Sequence, residues 1–163
     1  MAERPPFDPY AILAALERRR VGYVLIGSFA RVIRGAEELP DGLDIAPSLR
    51  PQNLQRLEEA LADLEVVGAR IGLEESPDAV IRAASPAGEL KIVPEPEGTR
   101  GYDDLRRAAT REPLGRGLRP SVASTGDLAR MLAALGHEGD RPKLQALRQV
   151  AELERSLGPE LTL

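Results

Sequence analysis

The sequence predicts a mixed α/β or α+β fold, a sheet flanked by helices with further helices at the C-terminus. Three observations carry this. Val21 to Ile26 is a β-rich apolar run set between two helical stretches. Leu54, Leu57, Leu61 and Leu64 recur at 3-4-3 spacing, the apolar stripe of a helix. Ala79–Ala84 and Glu89–Val93 read as two strands joined by Ser85-Pro86-Ala87-Gly88, a hairpin turn. Strands in the middle of the chain with helices on either side make a layered domain.

Each element has a local cause. Asp8-Pro9 starts the first helix, since Asp caps free N–H groups and Pro suits the first turn. Ile12, Leu13 and Leu16 mark its apolar face, and Arg18-Arg19-Arg20 close it at the negative end of the helix dipole. Gly27-Ser28 turns the first strand into a short helix with Phe29, Val32 and Ile33 inward and Gly35 as its stop. A second strand covers Leu43–Ala46, and Pro51 opens the Leu-faced helix. Residues 65–69 read as a strand and 71–78 as a loop with Ser76-Pro77-Asp78 turn chemistry. Pro94 to Gly101 is a loop, Tyr102–Thr110 a helix and Arg111–Arg119 an Arg/Gly-rich loop. After a short strand at Val122-Ala123, Ser124 and Asp127 form a capping-box pattern ahead of Leu128, Met131, Leu132 and Leu135. Gly136–Gly139 breaks that helix, and Asp140 and Pro142 restart a last one bearing Leu144, Leu147, Ala151 and Leu157. The organisation expected is an α/β core over residues 1–120 and a C-terminal helical segment, 121–163, packed on the same domain.

Composition narrows the chemistry. The 163 residues are 42% hydrophobic, 29% charged and 3% aromatic, which fits a globular chain with an aliphatic core. With 22 basic and 26 acidic residues the net charge is −4, against non-specific nucleic-acid binding by the whole surface but not against a local basic site. No Cys is present and there is one His, so thiolate and multi-His metal sites are excluded and a metal would rest on carboxylates, as magnesium or manganese does. MAERPPFDPY lacks the apolar centre of a signal peptide, and no stretch is long enough to span a membrane. A cytoplasmic location without membrane association is expected.

The chemical signal lies in three places. Gly27-Ser28, after a strand and at a helix start, lets backbone N–H groups approach an anion; it is neither a dinucleotide fingerprint nor a P-loop. In Gly42-Leu43-Asp44-Ile45, Gly42 and Asp44 point to one side of the strand. In Gly88 to Val93, Glu89 and Lys91 share a side. Two-ion phosphoryl transfer needs several carboxylates converging from such neighbouring strands.

The stretches YVLIGSFARVIRG (23–35), GLDIAP (42–47), QNLQRLEEALADL (52–64), GELKIVPEPEGTRGYDDLRRAA (88–109) and VASTGDLARMLAALGHEGDRPKLQAL (122–147) resemble, in order, the polymerase beta-like nucleotidyltransferase superfamily. The likeness is to its small bacterial branch, similar to the toxin component of abortive-infection systems. It implies a nucleotidyltransferase-like mixed sheet flanked by helices. It also implies a triphosphate seat at Gly27 and Ser28, and Asp44 as the second acid of a metal-binding pair. The resemblance departs from the pattern at Gly42, in place of the first acid, and at Lys91, in place of the third. Arg141-Pro142-Lys143-Leu144 stands where such proteins often read Arg-x-Lys-Asp.

Three readings follow. In the first, the fold is kept and metal-dependent transfer is lost, with Lys91 forming an ion pair to Asp44 where a metal would sit, and no cofactor. In the second, the site is shifted: Asp41 or Glu89 joins Asp44 to bind magnesium, although strand alternation turns Asp41 away from Asp44. In the third, Gly27, Ser28, Lys91 and Arg31 hold a nucleoside triphosphate or other anion, or the cleft receives a protein partner. Nucleic acid stays open as a partner. His137 reads as a loop residue and Asp103-Asp104 as helix-start acids. Arg106, Arg107, Arg111, Arg116 and Arg119 read as a solvated basic surface.

Overall fold

A computed structural model describes residues 6–40, 42–66 and 79–161. Six strands form one mixed sheet in the order β3-β4-β2-β1-β6-β5. The strands are β1 (Tyr23–Ile26), β2 (Gly42–Pro47), β3 (Ile81–Ser85), β4 (Gly88–Ile92), β5 (Thr110–Arg111) and β6 (Ser121–Val122). The helices are α1 (Pro9–Arg18), α2 (Gly27–Ile33), α3 (Pro51–Asp63), α4 (Tyr102–Leu105), α5 (Thr125–Leu135) and α6 (Arg141–Leu161). β2 runs antiparallel to β1 and parallel to β4, while β1 and β6 are parallel.

The expected helix starts are present. Asp8 Oδ1 accepts from the Ala11 amide at 3.2 Å, with Pro9 in the first turn of α1. Ser124 Oγ accepts from the Asp127 amide at 3.0 Å, and Gly136, with φ +68°, ends α5 in the left-handed conformation. Period-2 alternation then sorts the strand residues. Leu25, Leu43, Ile45, Leu90 and Ile92 are buried on one side with Ile12, Leu13 and Leu16 of α1 and Leu57 and Leu61 of α3. The opposite face carries α2, on which α5 packs.

Two readings of the sequence change, and a third lies largely outside the described residues. The strand expected over 65–69 and the loop over 71–78 fall largely on residues outside those described; Glu65 lies in a turn at φ +63°. The helix expected over 102–110 stops at Leu105, and Thr110-Arg111 instead pairs with Val122 and Ser121. The cause is distant in sequence. Arg34, after α2, donates to the Val122 and Ala123 carbonyls at 3.0 and 3.1 Å, to Thr110 Oγ1 at 2.8 Å and to Glu112 Oε1 at 2.7 Å. One guanidinium therefore fastens both members of the β5–β6 pair. The last strand lies at Ser121-Val122, one residue earlier than expected.

Tyr23 is 7% exposed, and among the described residues its hydroxyl has no hydrogen-bond partner. Burial pushes its phenol far above the usual range. A buried unpaired hydroxyl opposes folding, so Tyr23→Phe should leave stability equal or raise it by about 0.5–1 kcal/mol. Urea denaturation measures this; a loss above about 1 kcal/mol would mean that the hydroxyl has found a water.

Candidate functional site

β1 ends at Ile26, and Gly27 starts α2 with φ +76°. Asp44 is the register partner of Ile26 on β2, so its side chain rises against that turn. A Cβ on residue 27 would lie 2.8 Å from Asp44 Cγ, so Gly is required there both by backbone conformation and by space. On the other flank Asp44 is the register partner of Lys91 on β4. Lys91 Nζ lies 3.5 Å from Asp44 Oδ2, with the two side chains 30% and 25% exposed. The ion pair that strand placement predicts is present.

Electrostatics at the pair are unequal. Burial pushes the Asp44 carboxyl above its ordinary value, and the Lys91 ammonium only partly offsets this; Arg31 pulls in the same direction as Lys91 and Glu89 against it. An acid whose folded pKa is raised binds more protons folded than unfolded, so its contribution to stability falls as pH rises through that pKa. Lys91→Met removes the compensating charge. It should cost about 1–2 kcal/mol at pH 7, less than for a fully buried pair because both groups keep contact with water. Thermal melts from pH 4 to 8 check this: the deficit should shrink toward acid pH, and a deficit independent of pH would exclude Asp44 as its source.

The neighbouring position is closed to a second ligand. Gly42 is the register partner of Glu89, and a Cβ on residue 42 would lie 2.7 Å from the Glu89 carbonyl oxygen. Glu89 pairs with Arg82 of β3, Arg82 Nη1 to Glu89 Oε1 at 3.1 Å, on an exposed part of the sheet. Asp41 lies outside the described residues.

Arg31 is on α2 and faces the same cleft, but it is already engaged. Its Nε and Nη2 donate to the two Glu38 oxygens at 2.7 and 2.9 Å. Lys143 Nζ, at the start of α6, lies 3.6 Å from Glu38 Oε1 and also 3.6 Å from Asp140 Oδ1. The Arg31 hydrogen bond, first of several causes, holds the Glu38 carboxyl below its usual range. Sequence reasoning missed Glu38. Its one signal is a carboxylate in the loop before β2, too common a pattern to single out.

Arg31, Asp44 and Lys91 line a cleft of about 810 Å³ between the β2-β4-β3 surface and α5. Ser28, Lys91, Glu89 and Asp44 form its polar wall, and Leu128 and Leu132 its apolar one. His137 lies exposed after α5, and Asp103 and Asp104 serve α4. Asp104 accepts from the Arg100 amide at 2.9 Å and pairs with Arg130 at 3.1 Å. Among the described residues no three His, Asp or Glu side chains gather as a metal-holding group. Asp44 with an ammonium 3.5 Å away does not fit a pair of divalent ions, whose charge the ammonium would oppose.

No protein-family model matches the chain, and no curated protein matches it in sequence. Solved structures do match. The lincosamide antibiotic adenylyltransferase LnuA, solved with lincomycin bound, aligns at TM-score 0.58 and 18% identity over 88% of this chain and 98% of its own. The antibiotic-resistance factor ANT(2'')-Ia aligns at 0.56 and 18% over 93% and 83%. TM1012 from Thermotoga maritima, provisionally described as a nucleotidyltransferase, aligns at 0.57 and 16% over 88% and 89%. With the order of elements and the placement of Gly27, Asp44 and Lys91, these likenesses show that the chain has the nucleotidyltransferase fold.

Proposed function

We propose that this protein has lost metal-dependent nucleotidyl transfer and uses the cleft to bind a nucleotide or similar anion, in the cytoplasm. One observation carries the reading: the Lys91 ammonium stands 3.5 Å from Asp44, the one carboxylate expected to hold a metal. The Gly27-Ser28 turn and the outer part of Lys91 remain available to phosphate oxygens. Two fold neighbours are named as adenylyltransferase and adenylyl-product complex, which supports a nucleotide as ligand.

The test has two arms. Thermal shift against the four nucleoside triphosphates, with and without magnesium, should show stabilisation that does not depend on magnesium. Incubation with labelled nucleoside triphosphate, magnesium and either the protein itself or RNA should show no transfer. Transfer in the second arm overturns the reading, and no shift in the first arm removes the nucleotide and leaves the cleft to a protein partner.

One observation favours the alternative, an active magnesium enzyme. Glu89 is the register partner of Gly42, so its carboxylate starts from the strand position beside the missing acid, held by an exposed Arg82 that a metal could displace. If transfer occurs, Glu89→Gln should abolish it.

A further inference from the structure

A basic surface lies at the end of the sheet where β1 starts, away from the Gly27 turn. Asp44 and Lys91 sit beside Ile26, the last residue of β1, whereas Tyr23, its first, is about 10 Å away. Several segments meet at that first residue. Arg20 precedes β1 at φ +55°. Arg50 follows antiparallel β2, whose Pro47 is the register partner of Tyr23. The Ser48 amide donates to the Gly22 carbonyl at 3.0 Å. Arg119 precedes β6, which runs parallel to β1, and Arg111 lies across from Ser121. The hairpin between β5 and β6 is pinned along α1 by Arg116 stacked 4.4 Å over Tyr10 and by the Arg119 amide donating to Glu17 Oε1 at 3.1 Å.

Arg20, Arg50, Arg111 and Arg119 are all exposed, and none forms an ion pair among the described residues. Of the acids in the same segments, Glu112 faces Arg34, while Glu17 accepts the Arg119 amide and keeps its charge. Thus a chain of net charge −4 presents four guanidinium groups without an ion pair against the single charge of Glu17 at this end. We propose that this surface binds the phosphate backbone of a nucleic acid, independently of the cleft. A protein partner would need apolar anchors, and in the segments that carry these arginines Leu49, 37% exposed, is the one exposed large apolar side chain among the described residues. With no exposed aromatic ring in these segments to stack on bases, binding is through phosphates and insensitive to sequence.

Fluorescence anisotropy with labelled 20-nucleotide RNA, DNA of the same sequence, duplex DNA and polyglutamate tests this from 50 to 300 mM salt. Nucleic acid should bind at roughly micromolar level at 50 mM salt, with log K falling against log salt at a slope of about −2 to −4 for single strands. The triple charge reversal Arg50→Glu, Arg111→Glu, Arg119→Glu should weaken it at least tenfold and flatten the slope. Arg155→Glu on α6 and Lys91→Met in the cleft should change it less than threefold. The RNA and DNA arms show which nucleic acid is preferred, and either supports the proposal. It is overturned by no binding at 50 mM salt, by polyglutamate binding as tightly as nucleic acid, or by loss with Lys91→Met and not with the triple variant. The salt slope of the unaltered protein stands even if a variant fails to fold.

Discussion

Gly42→Asp, which puts a carboxylate where the resemblance expects the first acid of a metal pair, should destabilise the protein by about 2–4 kcal/mol and create no magnesium-dependent transfer. The first obstacle is space. A Cβ at position 42 would stand 2.7 Å from the Glu89 carbonyl oxygen. That oxygen is backbone on β4 and cannot rotate away, so the β2–β4 pairing itself must part. The second obstacle is charge, because the new acid would face Glu89 across the ladder and Asp44 along its own strand. Gly42→Ala separates the two, since it adds the Cβ alone; it should account for more than half of the loss. The expected fall in Tm is roughly 5–12 °C for the acid. Isothermal titration with magnesium provides the functional readout. A Gly42→Asp protein as stable as its parent that binds magnesium tightly would show that the two strands yield easily and that Lys91 does not bar a metal from Asp44.

This result bears on how the site came to be readable. Asp44 and Lys91 were legible as neighbours because strand alternation is strict and both strands are apolar on the other side, which fixes the register. Gly27 was legible because a positive φ after a buried strand favours glycine. α3 followed from its leucines alone. What the sequence hides is long-range. Arg34 reaches residues 76 to 89 positions away, and β5 and β6 are two residues each, too short to carry a period. The engagement of Arg31 by Glu38 was hidden for the same reason: a loop carboxylate has no periodicity, so an arginine open to an anion on sequence grounds turns out to be already paired. The basic surface was visible as a run of arginines, but its convergence on the start of β1 depends on the parallel β1–β6 pairing.

Asn53→Ala should cost about 2–4 kcal/mol, although the sequence shows only a polar residue in the first turn of a helix. Asn53 is 7% exposed. Its Oδ1 accepts from the Gly22 amide at 2.6 Å, and its Nδ2 donates to the Gly22 and Ser48 carbonyls at 2.9 and 2.8 Å. One side chain thereby ties the segment entering β1 to the segment leaving β2, and with it the spacing of Arg20 and Arg50. Alanine leaves the Gly22 amide and the Ser48 carbonyl without that partner, and the expense is their desolvation rather than the bonds alone. Asn53→Asp keeps an acceptor for Gly22 but turns carboxylate oxygen toward two carbonyls, so it should be worse than alanine at pH 7. Its carboxyl would be held well above the usual value by burial and by those carbonyls, and the variant should regain stability as pH falls and the proton restores a donor. Chemical denaturation of both variants at pH 5 and pH 7.5 decides the matter. A loss below about 1 kcal/mol for alanine, or an aspartate variant indifferent to pH, would mean that water substitutes for the amide and that the strand ends are held by the ladder instead.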